Sequence, residues 1–198
     1  MATQPQPRRP SLCLQLKGHV SCTFGAVTVQ PFSKTADQIM TAIIITYPEG
    51  RINHDQRKEL AETLTDAVLI IECGQIIPAA RGAFQIHFRP LPLDHLAIGG
   101  TLLTEQPADI LFIDLAVMDG YWPDTDRKKV FTNIYAALCA ALKTDKPSPT
   151  WWINFRVIGE GSWGSRGGAL SILDLLDTGA FTAQRAADIR ANLLGRPV

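Results

Sequence analysis

TAIIITYPEGRINHDQRKELAETLTDAVLII, residues 41–71, is the stretch that decides the fold. Residues 43–47 are β-branched or aromatic, which predicts a buried strand covered on both faces. A turn with Gly50 follows it. Asn53 is suited to cap a helix, with Gln56 as its capping-box partner. The helix is indicated by apolar residues that recur at helical spacing, namely Leu60, Leu64, Ala67, Val68 and Ile71.

The same pattern occurs a second time. In the stretch 110–142, ILFIDLAVMDGYWPDTDRKKVFTNIYAALCAAL, Asp119 takes the place that Glu49 has in the first stretch. An apolar segment follows each helix, at 83–88 and at 151–157. Strand, helix and strand within so short a unit predict a parallel pair joined by a right-handed crossover. The sequence therefore predicts an α/β (α+β) fold of tandem βαβ units, with a four-stranded sheet and two helices on one of its faces.

Several segments resemble the tautomerase superfamily, in particular 4-oxalocrotonate tautomerase in its fused, two-unit form. They are ITYPEGR, DQRKELAETLTDAVL and DHLAIGG in the first unit and SWGSRGG in the second. The resemblance covers roughly residues 40–170. It implies a homotrimer in which three sheets face inward around an axis. It also implies a small carboxylated organic acid as the ligand and neither a cofactor nor a metal.

The resemblance further implies where a catalytic site would lie. In the family, an N-terminal Pro begins the first strand, and its secondary amine is the general base or nucleophile. An Arg in the following turn binds the substrate carboxylate through its bidentate fork. That Arg falls on Arg51, whereas the Pro falls on Thr41. The nitrogen of Thr41 is a peptide amide in this chain, so it cannot act as a base.

Other pocket positions of the family also fall on identifiable residues. A second Arg falls near Gln85, with Arg89 as a substitute, and the pocket aromatic falls on Leu96 in the first unit and on Trp163 in the second. His95 matches a His found before that aromatic in some relatives. These residues are the predicted substrate-binding set, and the structural alternative for His95 is simple packing.

The missing amine leaves two function classes open. The first is an isomerase of the tautomerase type with weak or altered activity toward a small keto, enol or unsaturated acid. The second is a non-catalytic trimer that binds a ligand or has a structural role. If translation began at Met40, removal of that Met would give Thr41 a free amine where the family has its Pro amine.

Composition and charge limit the kinds of partner and the compartment that this chain can have. The chain has 198 residues, 46% of them hydrophobic, and a net charge of zero, which argues against nucleic acid or a membrane surface as the main partner. Cys73 and Cys139 lack metal-type spacing, and such lone thiols are typical of a reducing compartment, so we expect a cytoplasmic protein. The predicted division is a poorly ordered extension or targeting segment, two βαβ units and a helical tail, at residues 1–39, 40–103, 104–170 and 171–198. In the tail, residues 182–194 are predicted to form a helix with Thr182 as its cap.

Overall fold

The computed structural model describes residues 41–82, 84–165 and 167–195, so the predicted extension at 1–39 lies outside the described residues. In chain order the first unit contains β1 (Thr41–Pro48), α1 (His54–Glu72), α2 (Pro78–Arg81), β2 (Phe84–Leu91), β3 (Ala97–Ile98) and β4 (Thr101–Leu102). The second contains β5 (Leu111–Met118), α3 (Asp124–Leu142), β6 (Trp151–Ile158), β7 (Trp163–Ser165) and β8 (Gly168–Leu170), and the tail contains α4 (Ala183–Leu194).

A four-stranded sheet with the order β2-β1-β5-β6 forms the centre of the fold. β1 is parallel to β2 and β5 is parallel to β6, which confirms the two predicted parallel pairs. β1 and β5 run antiparallel, with Thr46 opposite Phe112. The end of β1 therefore lies beside the beginning of β5, and this junction brings together residues that are far apart in the sequence.

The internal repeat is present in the structure, since β5 follows β1 and α3 follows α1 at the same offset in the sequence. The two helices begin differently. Asn53 Oδ1 accepts from Gln56 N at 2.9 Å and Asn53 N donates to Gln56 Oε1 at 3.0 Å, which confirms the predicted capping box. Pro123 precedes α3 and makes no side-chain cap. The small helix α2 was not predicted.

Both long helices pack on the same face of the sheet. Ile43 and Ile45 point toward them and are fully buried, whereas Ile44 belongs to the opposite face. Burial alternates along β1, so within the single chain the face that carries Ile44 is only half-buried. Cover on both faces of this strand stays a prediction about the assembly. The largest buried members of this first core include Tyr47, Leu60, Leu64, Leu111, Ile113, Leu115, Val130, Ile134, Leu138 and Trp151.

The opposite face, called the open face below, is not the continuous apolar surface that three consecutive isoleucines suggest. Its edge strands β2 and β6 carry exposed polar side chains, namely Gln85, His87, Arg89, Asn154 and Arg156. Phe112 and Trp152 are 40% and 59% exposed beside them. The pleat explains the difference, because only alternate residues of each strand face the helices.

The C-terminal tail packs against its own chain in a second apolar cluster. Thr182 Oγ1 accepts from Arg185 N at 3.3 Å, so α4 begins where the sequence predicts it. The cluster joins the end of α1 and the end of β5 to the tail through Leu69, Cys73, Met118, Ile172, Leu175, Phe181 and Ile189. Because β5 is antiparallel to β1, the tail covers the end of the sheet at which β1 begins.

Each unit closes with a short hairpin, β3 with β4 and β7 with β8. Gly99 and Gly100 form the first turn with φ of 61° and 89°, and Gly167 lies in the second with φ of 83°. Such positive φ values suit glycine, which explains the glycine pairs seen in the sequence. Among the described residues no helix combines the length and apolar character that a membrane crossing requires.

Candidate functional site

The two predicted catalytic residues lie at opposite ends of β1. Thr41 is its first residue, and Arg51 lies in the turn just after its last residue, Pro48. Seven residue steps along a strand span about 23 Å. The structure therefore does not bring Thr41 and Arg51 together within one chain, and each end has a chemical environment of its own.

Arg51 is held by a carboxylate from the second unit. Its Nε donates to Asp109 Oδ1 at 2.6 Å and its Nη2 donates to Asp109 Oδ2 at 3.0 Å. This hydrogen-bonded ion pair raises the pKa of Arg51 above its ordinary value, although partial burial acts in the opposite direction. The contact exists because β1 and β5 are antiparallel, so the turn after β1 meets the residues just before β5.

An open cavity of about 370 Å³ adjoins the Arg51–Asp109 pair, and Pro48, Glu49, Pro107 and Ala108 complete its lining. The Arg51 guanidinium carbon lies over the ring of Trp151, 6.0 Å from the ring centroid, in a cation–π contact. A guanidinium has five N–H donors, of which Asp109 receives two. Among the residues that the structure describes, none accepts a hydrogen bond from Nη1 of Arg51.

Thr41 occupies a closed polar site at the other end of β1. It is only 1% exposed, and its Oγ1 lies 2.8 Å from both Oε1 and Oε2 of Glu72, the last residue of α1. Burial raises the pKa of Glu72 to about 7, while the Thr41 hydrogen bond and the charge of Arg185 lower it. A carboxyl group in this environment titrates near neutral pH, but its side chain is enclosed by protein.

Arg185 from α4 completes this buried polar cluster. Its Nε donates to the Glu72 backbone oxygen at 3.0 Å, its Nη2 donates to the Tyr121 backbone oxygen at 2.8 Å, and its Nη1 lies 3.5 Å from Asp126 Oδ2. The guanidinium carbon is 5.3 Å from the centroid of Trp122. The tail is thus connected through one side chain to both βαβ units.

The neighbouring thiol does not offer a nucleophile. Cys73 follows Glu72 and is fully buried. Burial raises the pKa of Cys73 above its ordinary value, and the charge of Glu72 raises it further. A thiol in such surroundings stays protonated at neutral pH, and only thiolates are good nucleophiles. No group of His, Cys, Asp and Glu side chains within 41–82, 84–165 and 167–195 is arranged to hold a metal ion.

The predicted substrate-binding residues are spread over several elements. Gln85 and Arg89 are exposed on the open face, where Gln85 Oε1 lies 3.1 Å from His87 Nε2. His95 is exposed in a single turn of 3-10 helix after β2, and Leu96 follows it half-buried. Trp163 begins β7 and packs half-buried against the tail cluster. Within one chain these side chains do not form one pocket with Arg51.

The second unit has a cavity at the equivalent turn. Tyr121 holds the position there that Arg51 holds in the first unit, and it adopts a left-handed conformation with φ of 59°. Together with Asp119, Trp122, Pro123, Val157 and Asn192 it lines a space of about 290 Å³. The replacement of Arg by Tyr means that this second turn does not repeat the cationic group of the first.

Three residues of these sites were not identified from the sequence. Glu72 lies four residues after Val68, on the buried stripe of α1, and an acid at such a position is a detectable signal. Asp109 and Arg185 carry no such signal. Asp109 meets Arg51 across 58 residues, and Arg185 meets the backbone of Glu72 across 113 residues. Contacts of this kind depend on how the units join rather than on local periodicity.

Comparisons with known proteins identify the fold. A native fused 4-OT crystal structure superposes with a TM-score of 0.54 at 16% identity, covering 65% of this chain and 94% of that chain. N1, a member of the cis-3-chloroacrylic acid dehalogenase (cis-CaaD) family, gives 0.55 at 16% identity, covering 75% of this chain and 97% of that one. F6 fused 4-OT, an asymmetric trimer, gives 0.53 at 19% identity with coverage of 65% and 94%.

No protein-family model matches the sequence, and no curated protein matches it either. The fold is therefore assigned from the likeness to solved structures. The protein has a tautomerase-superfamily fold. More narrowly, the fold is the fused 4-OT-like arrangement of two βαβ units. This confirms the fold that the repeat and the segments around Arg51 predict.

Proposed function

We propose that this protein binds a small carboxylated keto, enol or unsaturated acid at Arg51, with turnover that is weak or altered because Thr41 stands where the family has its Pro amine. The observation that carries the proposal is the position of Arg51 beside an open cavity of about 370 Å³. None of the described residues accepts a hydrogen bond from its Nη1, so the two donors of Nη1 are left for a ligand carboxylate.

We further propose a cytoplasmic homotrimer. Solved fused 4-OT structures include an asymmetric and a symmetric trimer, which supports this assembly for a chain of the same fold. The separation of Thr41 from Arg51 along β1 also means that a site using both residues requires a second subunit. Light scattering coupled to size exclusion should give about three times the chain mass of 21.7 kDa. A particle of one chain mass would contradict the trimer.

The second candidate is a non-catalytic ligand-binding or structural trimer. The burial of Thr41 favours it, because a hydroxyl that is 1% exposed and bonded to Glu72 does not face a ligand. The roles of Gln85, Arg89, His95, Leu96 and Trp163 in ligand binding also remain proposals under either candidate.

A titration of 2-oxohexanoate into the full chain tests ligand binding at Arg51. We expect titration calorimetry to detect binding of this acid to the native chain and no binding to Arg51→Ala. The reason is that the guanidinium of Arg51 is the cationic group in the lining of the cavity. Arg127→Ala is the matched control, since Arg127 also pairs with an aspartate but lies exposed on α3. Equal binding by all three proteins would refute the role of Arg51.

A further inference from the structure

The candidate ligand site at Arg51 already contains an internal carboxylate. Asp109 occupies the Nε–Nη2 edge of the guanidinium in a two-point contact, the geometry that a bound carboxylate adopts with arginine. Both residues line the same cavity. Asp109 therefore already neutralises the charge of Arg51 and takes two of its N–H donors. A ligand can use only the remaining donors.

Contacts that do not involve Arg51 hold Asp109 in this place. Thr150 Oγ1 donates to the Asp109 backbone oxygen at 2.6 Å, and Thr150 is in turn 2.7 Å from Ser148 Oγ. Trp151, the next residue, begins β6 and supports the Arg51 guanidinium. The residues at the start of β6 thus position both members of the ion pair. Asp109 is therefore held in the wall of the cavity by contacts other than its contact with Arg51.

The cavity carries a surplus of negative charge. Arg51 supplies one positive charge, while Asp109 and the exposed Glu49 supply two negative charges to its lining. At physiological ionic strength like charges within about 8 Å of one another still repel. A ligand with one carboxylate can place that group on the free edge of Arg51, whereas a second carboxylate has to enter a region that is already acidic.

From these contacts, and on the basis of the function proposed above, we infer that Asp109, supported by Glu49, makes the Arg51 site selective for monocarboxylates over dicarboxylates. Asp109 does not take part in a reaction in this proposal. It is a specificity-determining residue that restricts the ligand to one edge of the guanidinium and repels a second negative charge.

A matched pair of ligands tests the inference. 2-Oxohexanoate and 2-oxoadipate have the same six-carbon chain and differ only in a terminal methyl group or carboxylate. Calorimetric titration of the full chain should show tighter binding of 2-oxohexanoate, by on the order of threefold or more at low salt. Asp109→Asn should tighten binding of both acids and reduce the preference, because the dicarboxylate gains more from removal of the charge.

Glu49→Gln provides a second variant that does not disturb the contacts of Asp109 with Arg51 and Thr150, since Glu49 is exposed in the turn. It should also reduce the preference, by a smaller factor. An unchanged ligand ratio in both variants, with binding still dependent on Arg51, would overturn the inference and leave the proposed function standing. If neither acid binds to the native chain or to Asp109→Asn, the inference and the proposed function fail together.

Discussion

Glu72→Gln is the substitution that most directly tests the buried polar cluster. The folded chain encloses this carboxyl group completely and raises its pKa from 4.5 to about 7. That difference corresponds to about 3 kcal/mol, as an upper bound, by which the ionised form is disfavoured in the folded state. Glutamine has the same shape and no charge, and its amide can still meet the Thr41 hydroxyl.

The sign of the effect follows from proton linkage. The folded state binds the Glu72 proton more tightly than the unfolded state does, so its contribution to stability is fully present below about pH 4.5. It is lost as the pH rises toward 7. The native chain should therefore lose stability between these values through this group, whereas Glu72→Gln should not.

Urea unfolding followed by circular dichroism gives the required free energies. At pH 8 we expect Glu72→Gln to be more stable than the native chain by up to about 3 kcal/mol, and at pH 4.5 we expect the two to be similar. A variant that is less stable at pH 8, with a difference that does not change with pH, would refute the reasoning. It would mean that the contacts of the charged carboxylate with Thr41 and Arg185 exceed the cost of burial.

Three further predictions test other parts of the structure. Thr41→Val removes the hydroxyl that donates to Glu72, so it should lower the free energy of unfolding by about 2 kcal/mol at pH 8. The loss should be smaller at pH 5, where the carboxyl group of Glu72 is protonated. Equal losses at the two pH values in urea unfolding would contradict this. Arg185→Met should lower the free energy of unfolding by about 3 kcal/mol and speed hydrogen exchange in α4. It leaves the buried backbone oxygen of Glu72 and the partly buried one of Tyr121 without their donor. Unchanged exchange would show that apolar packing alone holds the tail. Asn53→Ala removes the cap of α1 and should lower the free energy of unfolding by about 1 kcal/mol. Pro123→Ala, at the equivalent position without a cap before α3, should lower it by less. The reverse order would refute the capping argument.

The fold could be predicted because its signal is repeated. Apolar strands and helices recur in the same order in both units, and the first unit adds a capping residue. The two parallel pairs follow from the short connections within each unit. Which residues of β1 face the helices could not be judged from three consecutive isoleucines. The apolar run of Ile43 to Ile45 masks the alternation that the pleat imposes, so the character of the open face was not foreseen.

The site was only partly predictable for a different reason. Arg51 was identified through the resemblance to the tautomerase superfamily, but its partner Asp109 comes from the junction between the units. Local sequence patterns do not fix such a junction. The same holds for the tail, whose helix was predicted from its cap at Thr182, while its docking through Arg185 depends on tertiary packing.

We propose that this chain keeps a carboxylate site at Arg51 and lacks the amine for tautomerase chemistry. The rate of phenylenolpyruvate ketonisation tests it most directly, compared between the full chain and a version that begins at residue 41 with Thr41→Pro. We expect weak acceleration by the full chain and a larger rate for the Pro version, which Arg51→Ala then abolishes. A full chain as fast as the Pro version, or a Pro version unaffected by Arg51→Ala, would contradict the account.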